Sequence, residues 1–143
     1  MKTKTLGQNQ TKQHVLIFES GDEVMSGLRD YARRENIRAA RFTAIGAFES
    51  ATLAYFDWDT KAYIEIPVQE QVEVLVLAGD IAWKDDEPVA HVHVVLGRRD
   101  GQAMGGHLCE ARVRPTLEVM LSESGALRRV VDPESGLALL SDE

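Results

Sequence analysis

The segment that most constrains the fold covers residues 91–107, because its pattern requires two antiparallel strands joined by a turn. His91 and His93 stand two positions apart in an apolar, β-branched run, so in a strand both imidazoles point to the same face. Residues 97–101, Gly-Arg-Arg-Asp-Gly, are rich in turn formers and predict a reversal of the chain. This turn allows His107 to approach the first two histidines from a neighbouring strand.

Three converging imidazoles are the usual minimum for a transition-metal site that keeps one coordination position open. We therefore predict a divalent metal ion bound by His91, His93 and His107. Neutral imidazoles suit zinc, and no motif in the sequence indicates redox chemistry, so zinc is the first choice and iron or nickel the alternatives. A hydrogen-bonded histidine cluster without a metal is the competing interpretation.

Four further residues are candidates for roles beside the histidines. Glu118 alternates with apolar neighbours, so it faces solvent, which is the commoner case for a glutamate, or a cavity, or the site, where it would serve as a hydrogen-bond acceptor or a base. Cys109 would share the face of His107, as a fourth ligand or, in the interpretation that we favour, as a buried inert thiol. Gly105 and Gly106 are candidates for binding a cofactor or anion through their amides, although we favour a tight turn between strands.

One amphipathic helix is predicted, directly after a first strand at residues 13–19. Ser20 and Glu23 fit a capping box in which Ser20 is the N-cap residue. The apolar face has helical spacing and consists of Val24, Leu28, Tyr31 and Ala32. Asn36 is suited to end the helix.

Every segment after this helix has the pattern of a strand. The long apolar run at residues 72–82 predicts a central strand buried on both faces. Gly46, in the middle of a strand predicted at residues 41–48, indicates a bulge or a close backbone approach. Many strands with one helix predict a single α+β domain, a mainly antiparallel sheet with one packed α-helix. Because one helix covers only part of such a sheet, the apolar strands also predict an oligomer.

Charge and cysteine content exclude several classes of protein. The chain of 143 residues has a net charge of −7, which opposes charge-driven binding to nucleic acid or to anionic membranes. A single cysteine excludes an internal disulfide. The sequence has no apolar N-terminal signal segment and no apolar run of 18 residues. These features predict a cytoplasmic protein without membrane partners.

The order and spacing of several motifs resemble the plants-and-prokaryotes-conserved (PPC) domain family. The motifs are His-Val-His at 91–93, Gly-Gly-His-Leu at 105–108, Thr-Leu-Glu-Val at 116–119, Ala-Ile-Gly-Ala at 44–47, Leu-Ala-Tyr-Phe-Asp at 53–57 and Val-Leu-Val-Leu-Ala-Gly-Asp-Ile at 74–81. The resemblance covers roughly residues 13–132, which we take as the domain, with residues 1–12 and 133–143 as terminal extensions. It implies a mainly antiparallel sheet with a packed helix, assembled as a homotrimer, and it strengthens the metal-site prediction.

Three functions are compatible with these predictions from the sequence. The first, which we favour, is a trimeric metal-binding module that binds a small molecule or another protein. The second is a metal-dependent enzyme that uses the three histidines with Glu118 as base. The third is a DNA-associated regulator, because plant members of the family carry the domain behind AT-hook motifs; this sequence contains no Arg-Gly-Arg-Pro element of that kind.

Overall fold

The computed structural model describes residues 2–6 and 12–141, and within them it contains one helix and nine strands. In chain order these are β1 Lys2–Leu6, β2 Gln13–Glu19, α1 Val24–Arg34, β3 Ala39–Asp57, β4 Ala62–Val68, β5 Val72–Lys84, β6 Glu87–Gly97, β7 Ala103–Glu123, β8 Arg128–Val131 and β9 Ala138–Ser141. Residues 1, 7–11, 142 and 143 of the predicted terminal extensions lie outside the described residues. No helix in the described part is both long and apolar enough to span a membrane.

The strands form one sheet, with neighbours in the order β1-β2-β7-β3-β5-β8-β9. β4 pairs with β3, and β6 pairs with both β5 and β7. All pairs are antiparallel except β5–β8, which is a single parallel pair between Trp83 and Arg128. The predicted α+β class, a mainly antiparallel sheet with one helix, is therefore confirmed.

Four strands of this sheet close on one another. β3 pairs with β5, β5 with β6, β6 with β7, and β7 returns to β3. The apolar side chains on the inner faces of these strands, of β2 and of α1 form one core, which includes Phe18, Leu28, Phe48, Leu77 and Leu108. α1 covers this core from the side of β6 and β7. The opposite faces of β6 and β7 are left available for a site.

The helix begins later than the capping box predicted, and this part of the prediction is wrong. The N-cap residue is Glu23, whose own carboxylate accepts hydrogen bonds from the amides of Met25 and Ser26. Gly21 has a φ of +90° and begins a turn in which the backbone of Asp22 bonds to β7, so the chain is not yet helical. Asn36, with a φ of +51°, ends the helix as predicted.

β3 is a single strand of 19 residues, which extends well beyond the strand predicted at residues 41–48. The expected irregularity at Gly46 is confirmed: the register with β5 shifts between Ala44 and Gly46. Gly46 has a φ of +151°, and a Cβ atom there would lie 2.2 Å from the carbonyl oxygen of Thr116. β3 therefore bends at Gly46 while it stays paired with β5 and β7.

β5 differs from the prediction of a strand buried on both faces. Buried Val72, Val74 and Leu77 lie on its inner face, whereas Leu75 and Val76 are exposed. A register shift in the pairing with β6 between Val74 and Val76 turns both of these side chains outward. We also did not predict from the sequence that β1 forms and pairs with β2, or that β8 pairs with β9.

Candidate metal centre

The three predicted ligands meet on the outer face of the sheet. His91 and His93 alternate along β6 with the buried residues Ala90, Val92 and Val94, so both imidazoles point away from the core. On β7, His107 is the register partner of His93. One potential ligand atom from each of the three histidines lies within 4.8 Å of those of the other two. The period-2 pattern and the turn at residues 97–101 thus bring the three imidazoles together.

The rings form a compact group that is held on one side by an aromatic side chain. Their centroids are 4.9 Å apart for His91 and His93, 5.2 Å for His91 and His107, and 5.7 Å for His93 and His107. Tyr63, on the edge strand β4, stacks on the ring of His107 with a centroid distance of 4.8 Å and an interplanar angle of 27°. This contact restricts the orientation of the His107 ring.

The surroundings keep the imidazoles of His91 and His107 neutral near pH 7. Burial lowers the pKa of His107 to about 4, and the proximity of His91 and His93 adds to the effect. Burial also lowers the pKa of His91, with contributions from His93 and Arg129, against the opposing influence of Asp80. A neutral imidazole has a free lone pair, which is the form that binds a metal ion.

The donor set fits a divalent cation. Nδ1 of His107 is buried and has no hydrogen-bond partner among the described residues. An unsatisfied buried polar atom is costly, and a bound cation would satisfy it. Tetrahedral coordination with metal–nitrogen distances of about 2.0–2.1 Å places ligand nitrogens about 3.4 Å apart. Side-chain rotations that shorten separations of up to 4.8 Å would complete such a site without a change of strand register.

The two glycines before His107 have a packing role inside a strand, whereas we had favoured a tight turn between strands. Gly105 and Gly106 lie inside β7, opposite Val95 and Val94, and not in a tight turn. A Cβ atom would lie 2.7 Å from the carbonyl oxygen of Val94 at Gly105, and 2.9 Å from that of Ala54 at Gly106. Their lack of side chains therefore allows β6 and β3 to approach β7 closely beside the site.

Glu118 and Cys109 lie outside the histidine group. Glu118 is exposed on β7, opposite Ile17 of β2 and Ile45 of β3. It lies eleven residues beyond His107, which corresponds to roughly 36 Å along an extended strand. Cys109 is exposed rather than buried as we had favoured. Partial desolvation, together with the nearby carboxylates of Glu65 and Glu110, raises the pKa of its thiol. Neither side chain belongs to the group whose ligand atoms converge.

Two residues that the sequence reading missed approach His91 from other strands. Asp80 on β5 is the register partner of His91, and its Oδ2 lies 4.0 Å from Nδ1 of that imidazole. The guanidinium of Arg129, on β8, donates to the other carboxylate oxygen of Asp80. An acidic residue in the otherwise apolar run at residues 72–82 was a visible signal for Asp80, but nothing in the sequence indicated Arg129.

Comparison with known proteins gives consistent matches. The sequence matches the profile of the Plants and Prokaryotes Conserved (PCC) domain over residues 6–125. A metal-containing protein from Archaeoglobus fulgidus is 33% identical, with a TM-score of 0.84 and coverage of 91% of this chain and 93% of that one. No curated protein matches the sequence.

Two further solved structures share the fold. A plant- and prokaryote-conserved protein from Pyrococcus horikoshii is 28% identical, with a TM-score of 0.86 and coverage of 99% of this chain and 96% of that one. A proposed DNA-binding protein from Ralstonia eutropha is 29% identical, with a TM-score of 0.87 and coverage of 96% and 95%. These similarities extend over nearly the whole length of each chain.

Proposed function

The chain belongs to the Plants and Prokaryotes Conserved (PCC) domain family, and from this membership and its histidine cluster we propose that it is a homotrimeric binding module with a divalent metal ion, zinc in the first instance, on His91, His93 and His107. The observation that carries the proposal is the convergence of three imidazoles around Nδ1 of His107, which is buried and has no hydrogen-bond partner among the described residues. The description of the Archaeoglobus relative as a metal-containing protein supports it.

The chemistry of the site favours the binding of a ligand. When bound to three neutral imidazoles, a divalent cation would supply a Lewis-acidic centre with room for a further donor from a small molecule or a protein. The histidines lie on the outer face of the sheet, and His93 is exposed, so such a donor can approach from solvent. Tyr63, stacked on His107, provides an aromatic wall for the same approach.

Self-association is supported by an exposed apolar row across three strands. Ile17, Ile45 and Met120 are 38%, 60% and 54% exposed, on β2, β3 and β7 respectively. Ile17 and Ile45 flank Glu118 on either side, and Met120 follows two positions later on the same face. A monomer would leave this apolar patch in water, whereas packing against other copies would bury it. The trimer follows the family resemblance, and the row is the surface that we assign to it.

The alternative of an enzyme with Glu118 as base has no geometric support within one chain. A general base must lie about 2.6–3.2 Å from the proton that it removes, or be linked to it through one water molecule. Glu118 lies far along β7 from His107 and is surrounded by the apolar row. We therefore place Glu118 at the proposed subunit interface.

A DNA-associated role is favoured by the description of the Ralstonia relative as a DNA-binding protein. Many of the arginines that could contact phosphates are already bonded to carboxylates: Arg33 to Asp30 and Glu87, Arg34 to Glu35, Arg98 to Glu70, Arg114 to Glu49 and Arg129 to Asp80. With a net charge of −7, the chain lacks the excess of free cations on which such binding depends. Fluorescence anisotropy with duplex DNA, at low and at physiological salt, should show no binding; salt-sensitive binding would revive this role.

The metal content of the purified protein tests the main proposal. Wild-type protein reconstituted with zinc and then desalted should retain about one ion per chain, and His91→Ala and His107→Ala should retain much less. Cys109→Ser is the matched control, because it alters a potential ligand on the same strand outside the histidine group. Equal zinc content in all four proteins would contradict the proposed site, and loss of zinc in Cys109→Ser would add the thiol to the ligand set.

A further inference from the structure

Asp80 and Arg129 form a partly buried connection between the C-terminal hairpin and the histidine group. Arg129 is 7% exposed, although its strand β8 contains only four residues and lies at the periphery of the sheet. Its guanidinium donates to Oδ1 of Asp80 and, at 2.9 Å, to the backbone carbonyl of Ala138 on β9. Both hairpin strands therefore hold Arg129 in place against β5.

This connection leaves one oxygen of Asp80 directed at a metal ligand. Arg129 occupies Oδ1, whereas Oδ2 lies 4.0 Å from Nδ1 of His91. The backbone positions are fixed by the sheet, because Asp80 and His91 are direct register partners on β5 and β6. Closing the gap to a hydrogen bond of about 2.7–3.2 Å requires only a side-chain rotation. The guanidinium also restricts the rotation of the carboxylate about its own axis.

A carboxylate at this place determines which nitrogen of His91 faces the cation. Asp80 in its ionised form can only accept hydrogen bonds, so the imidazole must carry its proton on Nδ1 and present the lone pair of Nε2. Metal-binding histidines commonly use such a partner for their second nitrogen, and loss of the partner weakens binding about ten- to a hundred-fold. Arg129 is a positioning residue in this arrangement, because it acts on the imidazole only through Asp80.

We propose that Asp80, held by Arg129 of the C-terminal hairpin, is the outer hydrogen-bond partner of His91 and selects Nε2 of that imidazole for metal binding. The proposal rests on the metal site proposed above. It assigns a function to residues 128–141, which follow the end of the matched family domain at residue 125. The hairpin then contributes to the metal site without providing a ligand.

Asp80→Asn tests the proposal, because it reverses hydrogen-bond polarity at one point. The amide oxygen of asparagine can still accept from Arg129, which keeps the hairpin attached, but its amino group then faces His91 as a donor. The zinc dissociation constant, measured by competition with a chromophoric chelator, should rise about ten- to a hundred-fold relative to wild type. Asp86→Asn, in the exposed β5–β6 turn, is the matched control for the lost negative charge and should stay within about twofold of wild type.

A second measurement separates failure of this inference from failure of the metal site. NMR of the imidazole nitrogens in metal-free protein should show His91 protonated on Nδ1 in wild type and in Asp86→Asn, and on Nε2 in Asp80→Asn. If the wild-type protein binds no zinc but shows this change of tautomer, the metal site is wrong and the hydrogen bond is correct. If the tautomer of His91 is the same in Asp80→Asn as in wild type, or if Asp80→Asn binds zinc as tightly as Asp86→Asn, the proposed role of Asp80 is wrong.

Discussion

Replacement of Glu23 by alanine should destabilise the domain more than any other single change at the surface of α1. The carboxylate accepts three backbone hydrogen bonds, from Met25 at 3.0 Å, Ser26 at 2.7 Å and Ala111 at 3.3 Å. Two of these cap the helix and the third reaches β7, so Glu23 joins α1 to the sheet. Loss of an N-cap side chain costs about 1 kcal/mol. Leaving the buried amide of Ala111 without a partner adds about 1–3 kcal/mol.

The expected total of about 2–4 kcal/mol corresponds to a fall in Tm of about 6–12 °C for a domain of this size. Differential scanning calorimetry measures this fall in Tm. The protein concentration is kept fixed, because self-association would make Tm depend on it. Asp30→Ala is the control, since it removes an exposed carboxylate of the same helix that pairs with Arg33, and it should lower the free energy of unfolding by less than about 1 kcal/mol. Equal losses in the two variants would refute the reasoning.

The same carboxylate predicts a specific dependence on pH. Burial acts to raise the pKa of Glu23, but the hydrogen bonds from Ser26, Met25 and Ala111 outweigh it and lower the pKa below the ordinary value of 4.5. A lowered pKa in the folded state means that the ionised group stabilises the fold above pH 4.5 and loses this effect as the pH falls through the folded value. The difference in stability between wild type and Glu23→Gln should therefore be complete at pH 7 and should vanish in acid. A difference that grew on acidification would contradict this assignment.

Three further changes test the site, the bend and the interface. Zinc at about a hundred times its dissociation constant should stabilise the protein by about 2.7 kcal/mol in thermal unfolding, and His107→Ala should abolish this shift while Cys109→Ser retains it. Gly46→Ala should lower the free energy of unfolding by roughly 2–5 kcal/mol, because of positive-φ strain and the 2.2 Å approach of the added Cβ to the carbonyl oxygen of Thr116. Gly125→Ala, which has open space around it, should leave the free energy of unfolding in denaturant nearly unchanged. Ile45→Glu should convert the proposed trimer into a folded monomer in analytical ultracentrifugation, because the side chain of Ile45 is 60% exposed in the single chain. A wild-type monomer at micromolar concentration would contradict the proposed assembly.

Local rules were sufficient to predict the histidine group. Alternation along one strand placed His91 and His93 on one face, and the glycine-rich turn at residues 97–101 returned the chain so that His107 pairs with His93. The bend at Gly46 was predictable for a similar reason, because glycine in the middle of a strand is unfavourable unless the backbone requires it. In each case the determining contacts lie on one strand or in one hairpin, or involve a residue type with a single conformational role.

Features that depend on distant segments could not be predicted in this way. The helix begins at Val24 and not after Ser20 because the backbone of Asp22 bonds to Val113, which is far along the sequence. The exposure of Leu75 and Val76 depends on a register shift against β6. Arg129 approaches Asp80 only because β8 joins β5 at a single parallel pair, and such a contact leaves no periodic signal in the sequence.

The closed cycle of β3, β5, β6 and β7 also has a consequence for the order in which the protein folds. β5, β6 and β7 follow one another along the chain and pair as consecutive hairpins, so Asp80 and the three histidines can meet through short loops. Closing the cycle requires β3 to pair with β7, which joins Ala40 to Glu123 across most of the described chain. Long-range pairings of this kind form slowly, whereas hairpins form in microseconds. We therefore expect the histidine group to form in the early, local part of folding, and the binding of a cation to it would favour the hairpins on which the later closure of the sheet depends.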